Sequence, residues 1–377
     1  MSNATRTEIT SARRIVVKVG SSSLTTRAGG LDLDRVNDLV EAISSRLETG
    51  THIVLVSSGA IAAGLAPLGL QSRPTDLATA QAAASVGQSL LVAAYASEFA
   101  KHSVTVGQVL LTAQDVMRRS HYRNAQRGLN RLLDLGVLPI VNENDTVATD
   151  EIRFGDNDRL AALVAHVVQA DALVLLSDVE GLFDGPPEEP QSQLIPQVSD
   201  FGQLNAIRIG GVGAAKVGSG GMSTKVEAAR IATAAGIPVV LTSASNAHRV
   251  LLGEEVGTLF TASIDRTPTR LLWLMYAATS QGSLVIDDGA VNAVIERRLS
   301  LLPAGIVSCS GLFSAGDPVD VCDVNGSVIA RGIVSFDADE LPGLIGKRTS
   351  QIVSEHGEGF DREVIHRDDL VILEGNS

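Results

Sequence analysis

Short apolar runs alternate with segments of helical periodicity from Ile15 to Phe260. The runs that predict strands are Ile15–Val19, Ile53–Val56, Val104–Leu111, Leu138–Val141, Ala172–Leu176 and Val239–Leu241. The segments with apolar residues at helical spacing are Leu31–Leu47, Leu77–Ala100, Tyr122–Leu135, Leu160–Val168 and Val226–Ala235. Such alternation predicts the α/β class: a three-layer αβα sandwich in which helices cover both faces of a mostly parallel sheet.

The pattern changes after residue 280 to short strands separated by Gly, Asp and Asn. The runs are Leu284–Ile286, Gly305–Val307, Pro318–Cys322, Ser327–Ala330 and Ile333–Val334. Strands of this length and spacing predict a small β-barrel or sandwich. At 377 residues the chain is long enough for two domains. We expect them at residues 1–262 and 280–370, with a linker at 263–279.

The net charge and the cysteines argue against several classes of function. The net charge is −13, and residues 281–370 hold 15 acidic against 7 basic side chains, which argues against binding to nucleic-acid phosphates. The two cysteines, Cys309 and Cys322, show no metal-ligand or disulfide pattern and suit a reducing, cytoplasmic location. Residues 1–14 are polar, and no run of about 18 apolar residues occurs, so neither a signal peptide nor a membrane span is expected.

Polar side chains follow the predicted strand Leu138–Val141. Asn142, Glu143, Asn144 and Asp145 come directly after it, and a second group, 156–158, follows a few residues later. Open α/β sheets bind ligands at the carboxyl ends of their strands, so this stretch predicts the floor of a polar site. The alternative is a solvated loop in which Asn and Asp serve as turn formers.

Two further strand ends carry candidate chemistry. Lys18 lies inside an apolar strand, where burial of an ammonium is costly, and the small residues Gly20–Ser23 after it would let phosphate oxygens reach backbone N–H groups. Ser58, with the amides of Gly59 and Ala60, could hold an anion or a carboxylate. The alternative is that Ser58 only caps the helix that follows.

The segment Gly210–Thr224 is the most glycine-dense part of the chain and is followed by Lys225. Glycines allow the backbone to wrap closely on a nucleotide, and the helix after them offers free N–H groups. The segment lacks the G-x-x-x-x-G-K-[ST] string of a Walker A motif. The alternative is a flexible linker.

Taken together and in order, these motifs resemble the amino acid kinase family, and specifically the bacterial glutamate 5-kinases that carry a C-terminal PUA domain. The strings are V-K-V-G-S-S-S-L at 17–24, S-S-G-A-I-A-A-G at 57–64, Q-A-A-A-S-V-G-Q at 81–88, V-N-E-N-D at 141–145, F-G-D-N-D at 154–158 and G-S-G-G-M-S-T-K at 218–225. The strings G-S-L-V-I-D-D-G-A at 282–290 and S-L-L-P-A-G-I at 300–306 resemble the PUA half.

The resemblance implies a reaction. ATP would pass its γ-phosphoryl group to the γ-carboxylate of L-glutamate, which yields glutamyl 5-phosphate and opens proline synthesis. It implies Mg²⁺ with the ATP, feedback inhibition by proline, and a homo-oligomer, either a dimer or a tetramer. Mg²⁺ would be held mainly by ATP oxygens and water, so no protein ligand is predicted.

The resemblance also implies residue roles. Lys18, Lys225 and Asp158 would be catalytic, the carboxylate orienting the two lysines. The glutamate site would comprise Ser58, Gly59, Ala60, Asn142, Asp145, Asp156 and Asn157. The nucleotide site would comprise Lys18, Gly20, Ser21, Ser177, Asp178, Ser219, Gly220, Gly221, Met222, Ser223, Thr224 and Lys225. The chain departs from the family at Ser177 and Phe183, where Thr and Tyr are expected.

The chemistry of the residues agrees with this reading. A γ-carboxylate, with a reference pKa of about 4.3, is already ionised at neutral pH and needs no general base. The difficulty is that one anion attacks another, so catalysis must come from positioning and cations. The alternatives are a sibling kinase for N-acetylglutamate, aspartate, carbamate or a nucleoside monophosphate, an RNA-binding PUA protein, and a kinase-like sensor without turnover.

Overall fold

The structure of the chain is a computed structural model that describes residues 7–26, 30–112, 115, 119–147, 157–206, 221–262, 271, 274–275, 280–356, 360 and 362–373. It divides into two compact units, Met1–Arg266 and Thr267–Ser377. The predicted linker at 263–279 falls mostly outside the described residues. The boundaries proposed from the sequence therefore stay predictions.

The described strands of the first unit form one eight-stranded sheet. They are β1 Arg14–Val19, β2 His52–Ser57, β3 Thr105–Leu111, β4 Val137–Glu143, β5 Ala172–Ser177, β6 Gln197–Val198, β7 Val239–Ser243 and β8 Thr258–Phe260. Their order is β3-β4-β2-β1-β5-β7-β8-β6, and only the β7–β8 pair among them is antiparallel. The predicted mostly parallel sheet is confirmed, and its central strands β2, β1 and β5 end side by side.

The described helices of this unit are α1 Thr7–Ser11, α2 Leu33–Leu47, α3 Ala60–Leu65, α4 Leu77–Lys101, α5 Arg119–Asp134, α6 Asn157–Val167, α7 Met222–Ala234 and α8 Ala247–Leu251. Successive side chains of β1 point to opposite faces of the sheet, and their contacts show that the helices form two layers. Val17 packs in one core with Val36 of α2, Leu91 of α4 and Val250 of α8. Lys18 points to the opposite face of the sheet, where α6 and α7 lie. The αβα sandwich is thereby confirmed.

Two helices that carry predicted site residues begin earlier than the periodicity predicts. Helix α6 begins at Asn157 rather than Leu160, and α7 begins at Met222 rather than Val226. In both cases the first turn consists mostly of polar residues, so the regular apolar pattern starts only after the helix has begun. The shift places Asp158 and Lys225 within helices, whose rigid backbones fix where the two side chains project.

Helices α3 and α4 pack so closely that only glycine fits at their contact. A Cβ on Gly87 would lie 1.8 Å from the carbonyl oxygen of Ala60, and a Cβ on Gly64 would lie 2.0 Å from that of Ala83. Ala60, which Gly87 contacts, is the first residue of α3 and directly follows Ser58 and Gly59. The position of α4 is thereby coupled to the loop after β2.

Helix α4 is also long and apolar enough, by length and composition, to cross a membrane. Its Leu91, Tyr95 and Phe99 are fully buried in the core of the first unit. A core helix of an α/β unit passes the same test of length and hydropathy. The expected absence of a membrane span stays a prediction.

The second unit contains a separate five-stranded sheet of order β10-β9-β11-β12-β13. Its strands are β9 Gly282–Ile286, β10 Ile306–Gly311, β11 Pro318–Cys322, β12 Val328–Ile333 and β13 Leu370–Ile372, and its described helices are α9 Asp288–Ile295 and α10 Thr349–His356. Cys309 and Cys322 are both free thiols. The predicted small C-terminal β domain is confirmed, and the structure gives it an apolar core of its own.

One strand of this sheet differs from the prediction. The runs Ser327–Ala330 and Ile333–Val334 were expected to be two strands, but one strand, β12, continues from Val328 to Ile333. Gly332, which looks like a turn residue in the sequence, pairs with Val319 inside the ladder. A Cβ at Gly332 would lie 2.4 Å from Cγ2 of Ile365, so the glycine makes room for a neighbouring side chain.

Candidate active site

A buried carboxylate holds two ammonium groups at the centre of the sheet. Asp158, in the first turn of α6, is fully buried, and Lys18 of β1 forms an ion pair with its Oδ1 atom. Lys225, in the first turn of α7, donates to its Oδ2 atom across 3.0 Å. Both lysines are themselves buried. The structure thus brings together the three residues predicted to be catalytic.

Electrostatics keeps this carboxylate ionised. Burial by itself would raise the pKa of Asp158, but the charges of Lys18 and Lys225 and their hydrogen bonds outweigh burial and hold that pKa below its usual value. One carboxylate serves two ammonium groups, so the cluster carries a formal charge of +1. A buried site with excess positive charge is suited to a bound anion.

The loops after β1 and β2 lie against each other beside this cluster. A Cβ on Gly20 would lie 3.9 Å from Nζ of Lys18, and a Cβ on Gly59 would lie 3.9 Å from Cα of Ser21. Gly59 has φ = 107°, a left-handed conformation that a residue with a side chain rarely adopts. The Gly20–Ser21 backbone therefore separates the Lys18 ammonium from the turn that carries Ser58.

The N-terminus of α7 faces the same carboxylate. Gly221 is its N-cap in an extended conformation, and Oγ1 of Thr224 lies 2.8 Å from the Gly221 carbonyl and 3.4 Å from Oδ2 of Asp158. Met222 is half-buried and Ser223 is exposed. The first N–H groups of a 13-residue helix have no partner within the helix and favour phosphate oxygens.

On the other side of β1, strand β5 ends in Ser177, which is buried. Its hydroxyl donates to Oδ1 of the exposed Asp178 across 3.0 Å. Since β5 runs parallel to its neighbours β1 and β7, Ser177 and Asp178 lie at the same edge of the sheet as Lys18. Phe183, one of the two departures from the family pattern, is half-buried and bridges Leu194.

Side-chain amides form a second cluster at the ends of β2 and β4. Nδ2 of Asn157 donates to Oγ of Ser58 across 2.9 Å and to Oδ1 of Asn142 across 3.0 Å. Ala60 is buried at the start of α3, and Asp145 is half-buried in the turn after β4. Because Asn157 and Asp158 are consecutive, the amide cluster and the lysine cluster are neighbours.

The predicted site residues Asp156, Ser219 and Gly220 lie outside the described residues. The remaining predicted residues lie at the carboxyl ends of β1, β2, β4 and β5 or in the first turns of α3, α6 and α7. The residue types and the sheet edge agree with the sequence analysis. The individual roles stay predictions.

Sequence analysis did not assign a site role to two residues of α4. Oε1 of Gln88 accepts a hydrogen bond of 2.7 Å from Nδ2 of Asn142, and the hydroxyl of Tyr95 lies 3.0 Å from Oγ of Ser57. Burial raises the pKa of Tyr95, so its hydroxyl stays protonated. The signal in the sequence was weak, because Gln88 and Tyr95 are seven positions apart and hence on one face, but α4 carries several other polar residues.

Among the described residues, no group of three or more His, Cys, Asp and Glu side chains could hold a metal ion. The buried carboxylate at the centre, Asp158, is taken by two lysines. Mg²⁺ bound to the phosphates of a nucleotide does not need such a group, because it takes most of its ligands from phosphate oxygens and water.

The geometry therefore offers two adjacent compartments. One has ammonium groups, small loops and a helix N-terminus, which suit a polyphosphate. The other has neutral amides and a hydroxyl, together with a half-buried carboxylate at Asp145, which suit a small zwitterion. Asp158 and Asn157, consecutive in α6, join the two.

Comparison with known proteins agrees with this geometry. The sequence profile of the amino acid kinase family matches residues 13–243, and that of the PUA domain matches residues 282–355. The chain is 62% identical over 368 residues to the glutamate 5-kinase of Streptomyces coelicolor, which covers 98% of both chains. It is 58% identical to that of Thermobifida fusca, over 99% of this chain and 96% of the relative.

A solved structure shares the fold of the first unit. The carbamate kinase of Giardia lamblia bound to AMP-PNP aligns with a TM-score of 0.50 and 18% identity, over 67% of this chain and all of that one. At this identity the likeness concerns the fold alone. The family match and the full-length relatives show that the chain belongs to the amino acid kinase family and, within it, to the glutamate 5-kinases with a PUA domain.

Proposed function

We propose that the chain catalyses ATP-dependent phosphorylation of the γ-carboxylate of L-glutamate, which yields L-glutamyl 5-phosphate. The observation that carries this proposal is the pair of buried ammonium groups on Asp158, directly beside the amide cluster of Asn157 and Asn142. The full-length similarity to glutamate 5-kinases supports the choice of acceptor.

On the phosphate side, Lys18 and Lys225 neutralise the charge that the nucleotide brings. As the γ-phosphoryl group passes between two anions, negative charge spreads over its oxygen atoms, and fixed ammonium groups stabilise that charge without reorganising. Asp158 holds both side chains in place before the substrates arrive. Backbone N–H groups of Ser21 and of the first turn of α7 complete the cradle.

On the acceptor side, the substrate meets neutral dipoles and one carboxylate. Ser58 with the amides of Gly59 and Ala60 binds one carboxylate of glutamate, and Asp145 binds its ammonium group. Asn142 and Asn157 line the remainder. No residue is needed as a general base, because the attacking γ-carboxylate is ionised at neutral pH.

The nucleotide's remaining contacts fall to Ser177, Asp178 and the segment 219–225. Mg²⁺ bound to the phosphates would supply additional charge neutralisation. The product, an acyl phosphate, is reactive toward water and nucleophiles, so a reductive or cyclising step must consume it. The chemistry agrees with the first step of proline synthesis and with proline as its feedback inhibitor.

A coupled assay of ADP release, with and without L-glutamate, tests the proposal. Hydroxylamine in the same mixture traps an acyl phosphate as a hydroxamate. We expect ADP release to depend on glutamate and hydroxamate to form in equal amount. If aspartate, N-acetylglutamate or carbamate supports faster turnover than glutamate, the chain is a sibling kinase and the proposed acceptor is wrong.

A further inference from the structure

Gln88 is a buried polar residue whose side chain reaches the acceptor compartment from α4. It is 9% exposed, and its Oε1 atom accepts from Nδ2 of Asn142 across 2.7 Å. Its Nε2 atom is buried and makes no hydrogen bond with the described residues. Glutamine is rarely buried in this way without a reason, because an unpaired amide donor costs free energy.

The hydrogen bond from Asn142 to Gln88 favours one of the two orientations of the Asn142 side-chain amide. A side-chain amide has one accepting and one donating end. With Nδ2 turned to Gln88, its Oδ1 atom is turned to Asn157 and accepts from Nδ2 of that residue across 3.0 Å. The same Oδ1 accepts from the backbone N–H of Glu143 across 2.9 Å, which favours the same orientation.

The orientation of Asn157 follows in turn. Its Nδ2 atom is used by Asn142 and by Oγ of Ser58, so its Oδ1 atom must point away from both. That Oδ1 is buried and accepts no hydrogen bond from the described residues. A buried carbonyl oxygen beside Ser58 that lacks a hydrogen-bond donor within the described part of the chain is suited to a donor from the ligand, such as the ammonium group of an α-amino acid.

The backbone that carries Gln88 cannot shift to adapt. Its neighbour Gly87 lies in direct contact with Ala60, where a Cβ would come within 1.8 Å of a carbonyl oxygen. Two turns further along α4, Tyr95 is bonded to Ser57 at the end of β2. The backbone of Gln88 is therefore held in place relative to Ala60 and to the end of β2.

We propose that Gln88 is a positioning residue for an amino-acid substrate. It acts through Asn142 to turn the carbonyl oxygen of Asn157 toward the substrate's ammonium group, and so helps to select acids that carry this group. The inference rests on the proposed function, because it takes an α-amino acid as the acceptor.

Two substitutions separate this role from a merely structural one. Gln88→Met fills the space of the glutamine but removes the acceptor for Asn142. Gln88→Glu retains an oxygen that accepts from Nδ2 of Asn142, so the orientation of Asn142 and Asn157 persists. The matched control is Gln126→Met in α5, which removes a hydrogen bond of 3.0 Å to the Val167 carbonyl at the far end of α6.

The decisive measurement uses the full chain and compares KM for L-glutamate with Ki for glutarate, which has both carboxylates but no amino group. In the native enzyme we expect glutarate to bind more weakly. In Gln88→Met, the ratio of Ki to KM should fall by about tenfold, the equivalent of one charge-assisted hydrogen bond, while kcat changes little. In Gln88→Glu and Gln126→Met the ratio should stay near the native value.

An unchanged ratio in Gln88→Met, or an equal fall in Gln88→Glu, would overturn the proposal. If Gln88→Glu does not fold, as its melting temperature would reveal, the ratio in Gln88→Met decides alone. Failure of the proposed function looks different, because then the native chain itself shows no glutamate-dependent release of ADP.

Discussion

Nζ of Lys225 lies 3.0 Å from Oδ2 of Asp158, although the two residues are 67 positions apart in the chain. The other oxygen of the same carboxylate holds Lys18, which comes from the middle strand of the sheet. Three distant segments thus meet at one buried point, and removal of Asp158 would leave two buried ammonium groups without the carboxylate that pairs with both.

Asp158→Asn should destabilise the protein and abolish most activity. Removal of one partner of a buried ion pair costs about 3–5 kcal/mol, because the remaining charge is buried without compensation. Urea denaturation at pH 7 measures this cost. Asp32→Asn is the control, since its ion pair with Arg35 is partly exposed and should contribute about 1 kcal/mol or less. Equal costs for both variants would contradict the buried-cluster account.

The same variant predicts a pH dependence. The pKa of Asp158 is lowered in the folded state, so the ionised carboxylate contributes stability above its unfolded pKa, about 3.9. That contribution is lost as the pH falls through the lower folded pKa. The difference in free energy of unfolding between native protein and Asp158→Asn should therefore be constant from about pH 5 upward and shrink below about pH 4. A difference that grows in acid would have the wrong sign.

Gly87→Ala should disrupt the contact between α4 and α3. The added methyl group would overlap the Ala60 carbonyl, and overpacking of this kind typically costs about 1–3 kcal/mol. Since Ala60 follows Ser58 and Gly59, KM for glutamate should rise as well. Gly128→Ala in α5 is the matched control. A Cβ there meets nothing within 4 Å, and helix propensity favours alanine by up to about 1 kcal/mol.

The strands, the site and the helix starts show how much of the structure could be predicted from the sequence. Strand positions such as Pro318–Cys322 could be predicted to the residue, because an apolar run between turn residues marks them directly. The site's sheet edge could also be predicted, since polar residues follow several strands. The role of Gln88 could not, because its partner Asn142 is 54 positions away and only the packing of α4 brings them together. The starts of α6 and α7 were missed because their first turns carry site residues instead of apolar ones.

L-Proline should compete with L-glutamate. It has the α-carboxylate and the ammonium group that Ser58 and Asp145 are proposed to bind, but no γ-carboxylate to phosphorylate. Proline should therefore raise the apparent KM for glutamate and leave kcat unchanged. N-acetylproline, which lacks the ammonium group, is the control and should not inhibit. Full activity at millimolar proline with subsaturating glutamate would refute shared binding.

The second unit should not bind RNA through its charge. Its residues 281–370 hold 15 acidic and 7 basic side chains, the opposite of the balance that phosphate binding requires. A gel-shift assay of the full chain with tRNA at low salt should show no complex at micromolar protein. A complex that weakens as salt is added would show that a local basic patch outweighs the net charge.

The central claim is that Lys18 and Lys225 act together on the transferring phosphoryl group. Its most direct measurement is the steady-state kcat of Lys18→Ala and of Lys225→Ala with saturating ATP and glutamate, with Lys101→Ala, an exposed lysine paired to Glu98, as the control. Each site variant should lose about a hundredfold or more in kcat with little change in KM for glutamate, as for loss of one preorganised donor to a transition state. An unchanged kcat in either folded variant would remove that lysine from the mechanism and contradict the account.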